Sequence, residues 1–173
     1  HTKKIHFKDN SVMRFAEQCD TLGYKNNNSI ESMKFDWCNS TGGSWWGTYD
    51  GENLVSISGI HPFKDGWRAL FRGAQLEPRR IGLNKYHMQS YCFHSQLPYQ
   101  IEYARQFSRG ENIYITTNVE TDNSGKMTRI DRTFALLAKS GIVEFVGHEQ
   151  IFGTLQSVWL LNVEMYNKIR EHY

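Results

Sequence analysis

Length, composition and charge narrow the class of protein. The chain has 173 residues, of which 39% are hydrophobic and 14% aromatic, and its formal net charge is +2. This length suits one domain with a substantial core, so we expect a single domain over residues 1–173. The composition argues against a disordered chain, and no apolar run is long enough to span a bilayer. No signal-peptide pattern is visible, and the three cysteines lack a metal-binding spacing, so we expect a cytoplasmic protein with free thiols.

The first half of the chain predicts two helices followed by an antiparallel meander. A stripe of apolar residues at helical spacing begins after Asn10 and stops at Gly23, which is typical of an amphipathic helix with a glycine end. The pair Asp50-Gly51 favours a tight turn between two strands. The elements expected here are a strand at 4–7, helices at 12–22 and 30–37, and strands at 45–49, 53–60 and 67–76. Because Trp45 and Trp46 are adjacent on a strand, their rings should face opposite sides of the sheet, one in the core and one lining a groove.

The next helix is marked at both ends. Ser95 is a candidate cap, and Pro98 fits the first turn, where amides have no helical partner. Leu97, Ile101 and Ala104 fall on one face, and Gly110 predicts the stop. The stretch before it, residues 77–94, has no clear period.

Residues 111–147 contain a series of predicted elements in a clear order: a strand, a polar turn, a helix, a glycine and a second strand. Residues 111–117 are rich in β-branched and aromatic side chains and predict a strand that ends at Asn118. A helical stripe then runs to Leu137, with Lys139 in its last turn and Gly141 just beyond. The remaining expected elements are strands at 142–147, 149–154 and 157–162 and a terminal helix at 162–172.

This order of elements resembles the GNAT acyltransferases. In that family the corresponding helix commonly closes with leucine-tyrosine-x-lysine-x-glycine-phenylalanine, and residues 136–142 are similar. The resemblance implies a single α/β (α+β) domain with a central mixed, mostly antiparallel sheet and helices on both faces. The sequence departs from the family at Leu137, which stands where a tyrosine often acts as general acid.

The resemblance also implies acetyl-CoA as co-substrate. The family's pyrophosphate loop is partly matched by Arg79, Arg80 and Gly82, although Asn84 replaces a small residue. Alternatively, the anion lies on the amides of His94, Ser95 and Gln96, with the residues before them as a flap over the acceptor; we favour this second placement slightly. Asn118 is similar in position to an asparagine that contacts the pantetheine region in the family.

The implied reaction is direct attack of an amine on the thioester, which requires a base. Glu77, at the end of a predicted strand, and His87, whose side-chain type titrates near neutral pH, are the candidates. The acceptor is a small-molecule or protein amine that the sequence does not specify, no membrane is implied, and a homodimer is left open.

Two other functions compete with acyl transfer. A GNAT-like domain without catalysis would bind acyl-CoA or another ligand, a reading that Leu137 favours. Residues 64–85 hold six basic and two acidic side chains, a local charge of +4, which could serve a polyphosphate or a nucleic acid. Because the net charge of the whole chain is only +2, a nucleic acid is a weaker candidate than a polyphosphate as the ligand of these basic residues.

Overall fold

The structure, a computed structural model, describes residues 1–6, 9–21, 40–73, 91–119, 129–151 and 154–171. In these ranges the strands are β1 Thr2–Ile5, β2 Ser44–Asp50, β3 Asn53–Phe63, β4 Gly66–Gly73, β5 Ile113–Asn118, β6 Val143–Ile151 and β7 Thr154–Leu161. The α-helices are α1 Asn10–Thr21, α2 Leu97–Arg105, α3 Arg129–Lys139 and α4 Val163–Arg170, and a π-helical turn, Tyr91–Gln96, runs directly into α2. No helix within these ranges is long and apolar enough to cross a membrane.

The strands form one mixed sheet in the order β1-β2-β3-β4-β5-β7-β6. β4 and β5 are parallel, and the other five neighbouring pairs are antiparallel. The parallel pair needs a crossover connection, and α2 lies within it. This confirms the mixed, mostly antiparallel sheet expected from the sequence.

One face of the sheet carries the main core. Alternate residues of β2, β3, β4, β5 and β7 point to this face and pack against α2, α3 and α4. The buried members of the cluster are Trp46, Ile60, Trp67, Ala69, Leu97, Ile101, Ala104, Ile113, Ile115, Phe134, Ile142, Val143, Trp159, Leu161 and Tyr166. The stripe Leu97, Ile101 and Ala104 read from the sequence is therefore the buried face of α2.

The opposite face is covered in part by α1, which contacts β3 through a short apolar stripe. Val12 and Phe15 of α1 are buried but do not belong to the main core. Trp45 and Trp46 point to opposite faces as predicted, yet both are buried, at 1% and 3% exposure. The ring of Trp45 packs on Gly59, where a Cβ would lie 2.7 Å from the ring. Neither tryptophan of this pair therefore lines a groove.

Several predicted boundaries change for identifiable reasons. β1 occupies residues 2–5 instead of 4–7, since it pairs with β2 over that range. β3 extends to Phe63 instead of stopping at residue 60, because its pairing with β4 continues through Pro62. Residues 149–151 are not part of a separate strand but the end of β6, which bends through a bulge between Phe145 and Gly147. The second helix predicted at 30–37 lies outside the described residues.

Helix ends follow the local chemistry of the sequence. α3 stops where Gly141, at φ +78°, donates its amide to Ala138 and the amide of Ile142 bonds back to Leu137. At the start of α4 the side chain of Asn162 accepts a hydrogen bond from the amide of Met165 at 3.0 Å. α2 ends at Arg105, before the predicted stop at Gly110, and the π-helical turn makes its helical path begin by Tyr91 instead of at Ser95.

Candidate functional site

The central feature of the sheet is an opening between its two parallel strands. β4 and β5 pair over three rungs, Trp67 with Ile113, Arg68 with Tyr114 and Ala69 with Ile115. Beyond that point β4 continues to Gly73, paired with β3, and β5 continues to Asn118, paired with β7. Each strand therefore keeps its outer neighbour, and the ladder between the two ends.

The closed end of the β4–β5 pair is held firmly. The amide of Trp67 donates to the carbonyl of Asn112 at 2.8 Å, and the hydroxyl of Tyr114 donates to Oδ1 of Asp65 at 2.7 Å. The Asn112 side chain donates to the other carboxylate oxygen at 3.0 Å. The bond from Tyr114, followed by that from Asn112, lowers the pKa of Asp65, while burial and the Asp65 carboxylate raise the pKa of Tyr114 to about 12.

At the rungs where the ladder ends, a buried arginine joins four strands. Arg68, only 3% exposed, lies on the sheet face opposite the main core. Its Nε donates to Oγ1 of Thr116 on β5 at 2.8 Å, and its two terminal nitrogens donate to Nε2 of His61 on β3 at 3.2 Å and to Oε1 of Gln156 on β7 at 3.4 Å. We call these four side chains the Arg68 cluster.

His61 is held in one tautomer by this arrangement. Its Nδ1 lies 2.8 Å from the carbonyl of Pro62, which can only accept, so Nδ1 carries the proton and Nε2 accepts from Arg68. Burial, followed by the charge of Arg68, lowers the pKa of His61 to about 3. The imidazole is therefore neutral at physiological pH, as an acceptor for a guanidinium must be.

On the other face, two glutamines at the start of α2 bond to the sheet. Gln96 is fully buried; it accepts from the hydroxyl of Ser58 and donates to Oγ1 of Thr48 at 3.0 Å and to the carbonyl of Ser56 at 2.9 Å. Gln100 donates to the Ser58 hydroxyl at 2.7 Å. This network fixes the position of α2 on β2 and β3, and with it the turn that precedes α2.

The sequence-predicted anion site on residues 94–96 falls in that turn. The ring of His94 packs edge-on against Phe93 at 5.4 Å, and partial burial lowers its pKa. The side chain of Gln96 is directed into the network beneath α2, so any contact of this residue with an anion would have to come from its backbone. Ser95 is half-buried.

Most of the remaining site predictions cannot be placed. Glu77, Arg79, Arg80, Gly82 and His87 lie outside the described residues. Asn118 is the last residue of β5, in register with Gln156 on β7 and therefore on the side of the opening. Leu137 is partly buried against the core. As a leucine, it has no hydroxyl group that could act as a general acid. In the described part of the chain, no group of three or more His, Cys, Asp or Glu side chains could hold a metal ion.

Sequence reasoning missed the Arg68 cluster. Arg68 was counted with the basic residues of 64–85, as a base available to a polyphosphate or nucleic acid. The available signal was the alternation of Trp67 and Ala69 around it, which places Arg68 on the opposite face of a strand at the centre of the sheet. A central strand has neighbours on both sides, and here β3 and β5 supply partners for the guanidinium.

Comparison with known proteins gives structural matches alone. No protein-family model and no curated protein sequence matches the chain. A solved structure assigned to the GNAT family of acetyltransferases, from Desulfovibrio desulfuricans, superposes with a TM-score of 0.58 at 9% identity, covering 94% of this chain and 98% of the other.

Two further solved structures are similar. An aminoglycoside 6'-N-acetyltransferase complexed with coenzyme A gives a TM-score of 0.54 at 14% identity, covering 92% of this chain and 95% of that one. An N-acyl amino acid synthase from uncultured soil microbes gives 0.61 at 10% identity, covering 97% and 98%. At these identities the likeness concerns the fold, and it extends over nearly the whole chain. The protein therefore has the fold of the GNAT acyltransferases.

Proposed function

We propose that this protein is an acyl-CoA-dependent N-acyltransferase that transfers an acyl group, acetyl in the first instance, to an amine of a small molecule or a protein. The observation that carries the proposal is the early end of the β4–β5 ladder. A parallel pair that opens within a sheet presents strand backbone to whatever enters the gap, and strand backbone binds extended groups through N–H and C=O contacts. The pantetheine arm of CoA is an extended chain with two amide groups, which suits such a gap.

The anionic end of the co-substrate needs cationic or amide partners near the same opening. Arg79, Arg80 and Gly82 are one set of candidates, since arginine side chains and glycine-rich backbone are common phosphate partners. The amides of His94, Ser95 and Gln96 are the other set, which we favour slightly, and the Gln96 and Gln100 side chains anchor this segment to the sheet. Asn118, at the end of β5, is the candidate for contact with the arm between its two ends.

The transfer itself requires two tasks of the protein. A base, Glu77 or His87, removes a proton from the ammonium form of the acceptor so that its nitrogen can attack the thioester carbonyl. A backbone N–H at the end of β4 stabilises the negative charge that develops on the carbonyl oxygen. The C–N bond forms and the C–S bond breaks. The attacking nitrogen releases its second proton to solvent, and the thiolate takes up a proton from solvent, since Leu137 offers no donor.

Calorimetric titration with acetyl-CoA, with CoA and ATP as comparison ligands, tests the proposal. We expect micromolar binding of both CoA ligands, weakened about tenfold by Arg79→Ala or Arg80→Ala. Arg105→Ala is the matched control, because Arg105 is an exposed arginine on α2 that pairs with Glu102. No binding at millimolar acetyl-CoA would overturn the proposal.

Leu137 supports one alternative, a domain that binds acyl-CoA without catalysis. An assay of thiol release distinguishes the transferase from the binding domain. Its panel of amines includes amino acids, polyamines and a lysine peptide. Thiol release that depends on amine and falls in Glu77→Gln or His87→Gln supports the transferase. Binding without thiol release for any amine supports the binding domain.

A further inference from the structure

The Arg68 cluster lies where the sheet changes from closed to open. Arg68 belongs to the second of the three β4–β5 rungs, and its partner Thr116 is the first residue of β5 beyond the last rung. The bond between Nε and the Thr116 hydroxyl therefore runs diagonally across the two strands at the start of the gap. Gln156 and His61 bind the two ends of the same planar group from the outer strands β7 and β3.

A buried guanidinium is costly to place, so its hydrogen bonds constrain the strands around it. Arg68, His61 and Gln156 are 3%, 2% and 6% exposed. Removing a charged group from water costs free energy unless its donors are satisfied, and the planar fork satisfies them in fixed directions. Each of the four strands is thereby held in register at this level of the sheet.

We propose that the Arg68 cluster sets where and how widely β4 and β5 part, and that Arg68 and Thr116 are positioning residues for the ligand that enters the gap. This inference rests on the proposed acyl-CoA function for the identity of that ligand. Neither residue takes part in the chemistry. Both act through the strand ends 70–73 and 116–118, which form the two sides of the opening.

Two adjacent threonines of β5 provide a matched pair of variants. Thr116 accepts from the buried Arg68 at 2.8 Å, and Thr117 accepts from the buried Nε1 of Trp159, also at 2.8 Å, on the other face of the sheet. A valine at either position removes a hydroxyl acceptor, part-buried at Thr116 and buried at Thr117, with almost no change in shape. The two variants should lose similar stability, yet only Thr116→Val loosens the tie across the opening.

Ligand affinity is the first readout. We expect Thr116→Val to bind acetyl-CoA about tenfold more weakly than wild type, Thr117→Val to stay within about twofold, and Thr116→Ser, which restores the acceptor, to return to wild-type affinity. Thermal melts of the three variants separate this effect from lost stability. Equal affinities for Thr116→Val and Thr117→Val would overturn the proposal.

Amide hydrogen exchange of the ligand-free protein is the second readout, and it does not depend on acyl-CoA. We expect faster exchange in 70–73 and 116–118 for Thr116→Val than for Thr117→Val. If the wild-type chain binds no CoA ligand, the proposed function fails, and exchange alone decides the inference about the cluster. Unchanged exchange at both strand ends in Thr116→Val would then overturn it.

Discussion

The two buried glutamines near the start of α2 differ in how completely their side chains are bonded. Gln96 satisfies both ends of its amide, through Ser58 on one side and through Thr48 and the Ser56 carbonyl on the other. Gln100 donates to Ser58, whereas its Oε1 is buried without a partner among the described residues. An unpaired buried carbonyl costs free energy that a bonded one does not.

We therefore expect replacement of the two glutamines to have unequal effects. Gln96→Leu should lower the free energy of unfolding by about 3 kcal/mol, because it removes three buried hydrogen bonds to β2 and β3. Gln100→Leu should change the free energy of unfolding by less than about 1 kcal/mol, because it removes an orphaned acceptor together with one bond. Urea denaturation of both variants measures the difference, and similar losses would show that Gln100 Oε1 is satisfied in solution.

Arg68 shows why single residues of a site escape sequence reading. Its charge suggests a solvent-facing or ligand-facing side chain, and the pattern of Trp67 and Ala69 gives no sign of its partners. Those partners, His61, Thr116 and Gln156, come from three other strands and lie up to 88 positions away in the chain. Contacts at such separations are fixed by strand order, which local patterns do not contain.

At the scale of elements, the start of β4 depends on a close backbone approach. A Cβ on Gly66 would lie 2.1 Å from the carbonyl oxygen of Asn112, the group that receives the hydrogen bond from the amide of Trp67. Backbone cannot move aside as a flexible side chain can. The parallel β4–β5 pair can therefore begin here only with glycine at position 66.

Gly66→Ala should accordingly lower the free energy of unfolding by about 3 kcal/mol, near the upper end of what overpacking costs. Gly42→Ala serves as the comparison, since Gly42 has open space around its Cβ position and only a φ of +93° to strain an alanine. That strain should cost about 1 kcal/mol. Chemical denaturation measures the free energy of unfolding of both variants. A smaller loss of stability for Gly66→Ala than for Gly42→Ala would mean that the backbone at Asn112 can shift.

The side-chain cap of α4 should contribute less to the stability of the fold than Gly66 does. The Oδ1 of Asn162 accepts from the amide of Met165, one of the amides without an intrahelical partner. Asn162→Ala should cost about 1 kcal/mol of stability, and Asn162→Asp should keep the cap and gain from the helix dipole. Thermal melts of the two variants test this. A loss in Asn162→Asp as large as in Asn162→Ala would contradict the capping role.

For the whole molecule, the order of helices and strands could largely be predicted from the sequence, whereas the opening between β4 and β5 could not. Apolar stripes, the Asp50-Gly51 turn and the glycine at 141 each follow from local chemistry, and the structure confirms the elements they mark. The early end of the β4–β5 ladder depends on pairing between strands that are forty residues apart, together with an arginine whose partners lie elsewhere. The catalytic and anion-binding predictions at 77–87 remain predictions.

The buried His61 should make the folded domain sensitive to acid well above the range where carboxylates titrate. Its pKa is about 3 in the folded protein against an ordinary value of 6.5, so between these values the unfolded chain binds the extra proton. Stability is then fully present above pH 6.5 and falls as the pH is lowered toward 3, by at most about 1.4 kcal/mol per pH unit.

A variant with a neutral acceptor in place of the imidazole isolates this contribution. His61→Gln retains an amide oxygen for Arg68 and does not titrate, so it should lose about 2 kcal/mol less than the wild type between pH 7 and pH 5. His94, whose pKa is also lowered, contributes equally to both proteins and cancels in the comparison. Urea denaturation across this range gives the two curves. Parallel curves would mean that His61 is not held neutral, and the Arg68 cluster would then lack the acceptor that joins β3 to the opening.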